Sequence, residues 1–157
     1  MNNTIHSSDD FEGMRKAGNL AASTLDLLVE KVKPGVSTEE LDNIAFDYIV
    51  RHGGLIAPLF YKGYPKSVCT SINHVICHGI PSSRILENGD IVNIDVTVIV
   101  DGWHGDTSRM FPVGKINAKA QKLIDCTFQA MHEGINAAQP DATLGDIGSA
   151  IQTYAEK

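Results

Sequence analysis

No cluster of lysine or arginine occurs anywhere in the 157 residues, and the formal net charge is -6. A partner gripped through nucleic-acid phosphates needs such a basic patch, so that class of function is excluded. Also missing is any apolar run near the roughly 20 residues of a membrane span. The first ten residues, MNNTIHSSDD, hold neither the basic nor the apolar region of a signal peptide, and a cytoplasmic location is expected. Cysteine is scarce: Cys69, Cys77 and Cys126 are odd in number and lack zinc-ligand spacing, which suits a reducing compartment. None of the histidines sits in a pattern such as His-Glu-x-x-His. There is no internal repeat, low-complexity segment or linker. What is present, 43% hydrophobic and 20% charged residues, is the composition of one soluble globular domain with a real core.

The richest stretch runs from Asp90 to Phe111. Two extended runs flank Asp101-Gly102, the favoured signal for a two-residue hairpin because both central residues need positive φ. A turn centred there sets Val100 opposite Trp103, Thr97 opposite Asp106 and Asp95 opposite Ser108. Alternation then puts Asp95, Thr97, Ile99, His104, Asp106 and Ser108 on one face and Ile94, Val96, Val98 and Val100 on the other. Asp95 and Asp106 become diagonal neighbours roughly 7–8 Å apart at the backbone. Two carboxylates so placed can clamp one or two hard cations. They can equally be the wet side of an amphipathic sheet. Gly105, next to Asp106, leaves room for close backbone approach.

Around the hairpin, residues 1–8 are polar and expected to fray. A helix pattern starts at Ser8 or Asp9 and carries Met14, Ala17, Leu20, Ala21, Leu25, Leu28 and Val32 on one face until Pro34-Gly35. Ser37 and Glu40 form a capping box for a second helix with a buried stripe of Leu41, Ile44, Ala45, Tyr48 and Ile49, ended by Gly53-Gly54. A strand is expected over Leu55 to Leu59. The following Tyr61-Lys62-Gly63-Tyr64-Pro65-Lys66 reads as a surface turn or as a pocket rim whose rings offer apolar wall and polar tip. Ser67 to Ile72 alternates as a strand that Asn73-His74 breaks, and Val75 to Pro81 reads as a short strand and sharp turn. His78 is a lone histidine, and pairing it with Cys77 as a nucleophile system fails because strand neighbours point to opposite faces. Asn117 caps a long helix with Ala120, Leu123, Ile124, Phe128, Met131 and Ile135 on its buried face, stopped at Pro140. A last helix pattern opens at Thr143 and runs through Leu144, Ile147, Ile151 and Tyr154. It reaches Lys157 with no chemical terminator, as if the chain were cut there.

Four segments together resemble the type I methionine aminopeptidases in their bacterial, extension-free form: Lys33 to Thr38 (KPGVST), Tyr61 to Cys69 (YKGYPKSVC), Asn73 to Pro81 (NHVICHGIP), and Asp90 through Phe111. The resemblance runs from about Phe11 to the last residue. It implies the pita-bread α+β fold, two related halves around a curved antiparallel sheet, here reduced to its first half. Residues 1–157 would then be an incomplete peptidase catalytic domain. By the same resemblance Asp95 and Asp106 are metal ligands, Asp106 bridging two divalent ions (Mn, Fe or Co). His78 contacts substrate near the scissile amide. Tyr61, Tyr64 and Cys69 line the methionine pocket, and Thr97 stands behind the metals. Asn73 and Val75 offer carbonyls to an auxiliary monovalent cation. The family's remaining ligands, a histidine and two glutamates, would lie beyond Lys157, and Glu156 has no matching context. Pro58 stands where many bacterial relatives present a cysteine.

The implied reaction is metal-dependent hydrolysis after an initiator methionine at the N-terminus of a nascent polypeptide, at the ribosome or as a short peptide, with a small second residue preferred. The implied intact enzyme is a monomer, and the 157 residues alone are expected to be inactive or nearly so. Two alternatives remain beside it: an X-Pro aminopeptidase or prolidase of the same fold, and a non-catalytic pseudo-peptidase that only binds. An isolated half is further expected to expose apolar surface and to associate.

Overall fold

The computed structural model describes residues 5–157. Two compact units divide the chain, Met1–Lys115 and Ile116–Lys157.

In the first unit the order is α1 (Ser8–Leu28), α2 (Thr38–Arg51), β1 (Leu55–Ile56), a short 3-10 turn at Tyr61–Gly63, β2 (Cys69–Ile72), β3 (Ile91–Val100) and β4 (Trp103–Pro112). All pairings are antiparallel and all run through β3. One edge of β3 carries β2 against residues 92–95 and β1 against residues 98–99; the other carries β4 along its whole length. The hairpin register is the expected one, with Val100 opposite Trp103, Thr97 opposite Asp106 and Asp95 opposite Ser108. Asp101 and Gly102 both take positive φ, 50° and 85°, which a two-residue turn of this type demands.

Alternation along β3 decides what lies where. Val92, Ile94, Val96 and Val98 are fully buried and join Leu20, Ala21, Leu25 and Leu28 of α1 and Leu41, Ala45 and Ile49 of α2 in one apolar cluster. Asn93, Asp95, Thr97 and Ile99 face the other way and are only partly covered. Gly105, opposite Val98, lies on the helix side. A Cβ built there would fall onto the carbonyl of Ala17 and close to the amide of Gly18, so α1 sits directly on the backbone of β4. The close approach expected at Gly105 is therefore made, and a helix backbone is what approaches.

Several local expectations are corrected. The frayed segment over residues 1–8 falls in its first four positions outside the described residues, and its last, Ser8, opens α1 with Ser7 as the N-cap. There the backbone N–H of Ser7 donates to Asp10 Oδ2 at 2.7 Å. Helix α1 stops at Leu28, before Val32, which is buried in the turn that follows; Met14 is half exposed. At α2 only one half of the capping box forms: Glu40 N donates to Ser37 Oγ at 3.1 Å, with no reciprocal bond from the glutamate. Strand β1 ends at Ile56, because Pro58 has no N–H to give and Phe60 turns left-handed at φ 67°. Residues 75–81 form no strand. Asn73 and His78 both take positive φ, 52° and 56°, and the segment folds back as a loop.

Asp42 gave no warning in the sequence. It sits inside the apolar stripe of α2, 4% exposed, and its Oδ1 accepts from the backbone N–H groups of Ser67 at 2.7 Å and Val68 at 3.0 Å. The carboxylate thereby anchors the chain entering β2. Asp42→Ala strands two buried donors, and urea unfolding should show a loss of about 2–4 kcal/mol. Asp42→Asn keeps one acceptor oxygen and should lose less; an alanine variant as stable as the parent would contradict this anchor.

The second unit holds α3 (Ala118–Ala137) and α4 (Leu144–Ala155). Asn117 caps α3 as expected, its Oδ1 accepting from Ala120 N at 2.9 Å. Thr143 and Asp146 form a complete capping box on α4, Thr143 N donating to Asp146 Oδ2 at 2.7 Å. The two helices meet where Gly134 leaves room for Ile147 and Ile151. The apolar face of α3 is correctly located but not buried: Leu123, Phe128, Met131 and Ile135 are all exposed, and only Ala130 and Gly134 are covered. Periodicity identifies an apolar face; it does not supply a partner for it.

Candidate metal and substrate site

The polar face of the hairpin opens into a cavity of about 820 Å³. Asp95 and Thr97 reach it from β3, and Asp106 and His104 from β4. Cys69, the direct partner of Asp95 in the sheet, arrives from β2, and His78 from the loop that follows. Tyr61 and Tyr64 stand on the 3-10 turn and its exit, together with Pro58. Thus seven of the residues singled out in the sequence, Tyr61, Tyr64, Cys69, His78, Asp95, Thr97 and Asp106, line one space. Asn73 and Val75 do not. They lie at a separate, smaller cavity of about 250 Å³ with Thr38, Thr70, Ser82 and Arg84.

The chemistry of the larger cavity is set by its two carboxylates. Burial, then the charge of Asp106, then a hydrogen bond from that same neighbour, raise the Asp95 carboxyl above the ordinary aspartate value, while the charge of His78 pulls it down. Two like charges held on one face are better satisfied by a cation between them. Oxygen donors of this kind suit hard divalent ions. Among the described residues, however, no group of three or more His, Cys, Asp or Glu gathers within reach of one metal. The pair fits a divalent ion in kind and supplies only part of a coordination set in number.

The remaining wall is apolar with fixed polar points. The Tyr64 hydroxyl donates to the carbonyls of Val68 at 2.9 Å and Gly79 at 3.1 Å. Burial, then Cys69, push its ionisation far up, so it remains a donor at any working pH. Phe60 and Lys62 hold left-handed backbone, φ 67° and 48°, on either side of Tyr61, an exposed ring at the cavity's rim. The loop lines the cavity through Tyr61, Lys62, Gly63, Tyr64 and Pro65. Cys69 is buried, and its thiol is raised first by burial and then by Asp95, Cys77 and Asp106, with Tyr64 opposing. Cys77 is exposed. Since the thiolate is the reactive form, iodoacetamide at mildly alkaline pH should modify Cys77 first and Cys69 at least about tenfold more slowly. Peptide mass mapping over time checks the order, and labelling of Cys69 first would contradict it.

Sequence reasoning placed His104 on this face without giving it a role, and it missed Ser71 entirely. Ser71 is buried on β2, and its Oγ accepts from Gly79 N at 3.1 Å. Only the return of the 73–80 loop over β2 creates that contact, so no local pattern could announce it.

The model of metallopeptidase family M24 matches residues 12–157. The chain is 58% identical over 153 residues to a methionine aminopeptidase of Rickettsia prowazekii, covering 98% of this chain and 59% of that protein. It is 52% identical over 154 residues to a methionine aminopeptidase A of Synechocystis, covering 98% and 61%. The crystal structure of the Rickettsia prowazekii methionine aminopeptidase superposes with a TM-score of 0.96 at 57% identity, over 98% of this chain and 62% of that one. A prolidase from Pyrococcus furiosus superposes at 0.82 with 20% identity, over 97% and 44%, a likeness of fold alone. The chain thus spans about three-fifths of the length of the curated relatives it matches.

Proposed function

The chain belongs to metallopeptidase family M24, and we propose that it supplies the pocket and two metal-holding carboxylates of an aminopeptidase that removes an N-terminal methionine. The carrying observation is the convergence of Asp95, Asp106 and His78 with the Tyr61–Tyr64–Cys69 wall on one cavity, in a chain more than half identical to methionine aminopeptidases. On this reading residues 1–157 are one incomplete catalytic domain; the family match over residues 12–157 and the three-fifths of the relatives' length that the chain spans support it.

Asp95 and Asp106 would hold the metal, two divalent ions of the manganese, iron or cobalt type, and the metal would supply Lewis acidity toward the scissile carbonyl. The chain's own residues do the rest. Tyr61, Tyr64 and Cys69 receive the unbranched, polarisable methionine side chain and keep water from it. His78, held beside the carboxylates, donates a hydrogen bond to the peptide group on which charge develops. Thr97, opposite Asp106 in the hairpin, would sit behind the metals. Asn73 and Val75 would hold a monovalent cation at the smaller cavity, bracing the strand end from which the His78 loop leaves. The substrates are N-termini of newly made polypeptides with a small second residue, met in the cytoplasm by a monomeric enzyme. No helix is long and apolar enough to cross a membrane among the described residues. The likeness to prolidases is one of fold and does not favour X-Pro cleavage.

The test is release of free methionine from a Met-Ala-Ser peptide with added divalent metal, beside an Ala-Pro-Ser control, with the intact mass recorded. Methionine release by a longer form of the protein and little by the 157 residues alone is the expected result. Cleavage of the Ala-Pro bond in preference to Met-Ala overturns the assignment.

A further inference from the structure

We infer that Ser71 and the Tyr64 hydroxyl are positioning residues, which hold the peptide of Gly79 so that His78 stays turned into the cavity. This rests on the reading of His78 as the group that meets substrate. His78 sits at φ 56°, a conformation side chains other than glycine visit sparingly, in a loop without regular structure. Such a residue keeps its place only when its surroundings over-determine it.

They do so through the next residue. Gly79 N donates to Ser71 Oγ at 3.1 Å. The Gly79 carbonyl accepts from Thr70 N at 2.8 Å and from the Tyr64 hydroxyl at 3.1 Å. One amide and one carbonyl are thus held by three donors and acceptors, two of them side-chain hydroxyls. A Cβ at residue 79 would fall onto the Thr70 carbonyl and close to Ser71 Cα, so the loop lies flat on β2 and can only do so with glycine there. Strand β2 is in turn registered on β3, Cys69 opposite Asp95 and Ser71 opposite Asn93. The same strand therefore fixes the carboxylate neighbour and the histidine loop, and the spacing between His78 and Asp95 is set by Ser71 and Tyr64 rather than by His78 itself. Ser71 is 3% exposed, so water cannot take its place without opening the loop.

The experiment is nuclear magnetic resonance on the isotope-labelled 157-residue chain, reading Gly79 amide exchange and the His78 ring resonances in Ser71→Ala, Ser71→Thr and Tyr64→Phe. In Ser71→Ala, Gly79 exchange should rise roughly three- to tenfold, the range expected for loss of one hydrogen bond. The His78 ring signals should shift, while Val96 and Thr107 amides in the sheet keep their protection. Tyr64→Phe should move the same signals less, since Thr70 N still holds the carbonyl, and Ser71→Thr should restore them. An unmoved His78 ring in Ser71→Ala, or sheet amides that fall together with Gly79 in both Tyr64→Phe and Ser71→Ala, overturns the inference. If Ser71→Ala alone unfolds, the selective response of Tyr64→Phe decides, and its absence counts against. None of these readings needs turnover, so a failure of the His78 positioning and a failure of methionine release are read by separate measurements.

Discussion

Gly105→Ala should cost the first unit about 2–4 kcal/mol in urea unfolding, more than most single added methyl groups. At this position the new Cβ meets the main chain of Ala17 and Gly18, not the tip of a movable side chain. Accommodation requires α1 to lift off β4, which uncovers Ala17, Ala21 and Val98, all fully buried in the parent. Interiors packed at crystal-like density offer no slack for that movement. Gly18→Ala is the matched control. An added Cβ there meets nothing within 4 Å, and alanine in place of a helical glycine should stabilise by about 0.5–1 kcal/mol. Two glycine-to-alanine changes at one helix–strand contact should therefore act in opposite directions. Equal effects would mean that α1 does not rest on the backbone of β4.

Asp106→Asn should separate stability from metal binding. Asp95 has a folded pKa raised above its usual 3.8, by burial first and by Asp106 next. A raised acid favours the fold while protonated, so that contribution is full below the ordinary aspartate value and is lost as pH rises through the raised one. At neutral pH the metal-free carboxylate pair works against folding. Asparagine at 106 removes the second charge, and metal-free Asp106→Asn should unfold at a higher temperature than the parent at pH 7, with little difference near pH 3. A bound ligand raises stability by about 2.7 kcal/mol at a hundredfold excess over its dissociation constant. That gain, read as a shift in unfolding temperature with added manganese, should be present in the parent and nearly absent in the variant. The loss of one carboxylate at contact distance weakens a divalent ion by at least about a hundredfold. A variant that keeps the full manganese shift would contradict the assigned ligands.

How far the sequence spoke depended on how local each determinant is. The hairpin was legible to the residue, because Asp101-Gly102 sets the register and alternation then assigns Asp95, Thr97 and Asp106 to one face. The pita-bread α+β class and the family followed from segments whose order and spacing are distinctive, and the match over residues 12–157 agrees. Determinants that depend on distant partners were not legible. Asp42 lies in an apolar stripe and finds its donors 25 residues on. Ser71 becomes a hydrogen-bond acceptor only when the loop of His78 returns to it. Leu123 and Phe128 show where α3 is apolar, and they are exposed because periodicity says nothing about cover. Strand β1 was overdrawn for a simpler reason: Pro58 stood in plain view and ends a ladder.

The central claim is that Asp95 and Asp106 form a site for divalent cations. Electron paramagnetic resonance of manganese titrated into the 157-residue chain, beside the Asp95→Asn/Asp106→Asn double variant, tests it most directly. The account predicts weak but saturable uptake by the parent and none by the double variant. Equal uptake by both would place the metal elsewhere, and the assignment of these two carboxylates would fall.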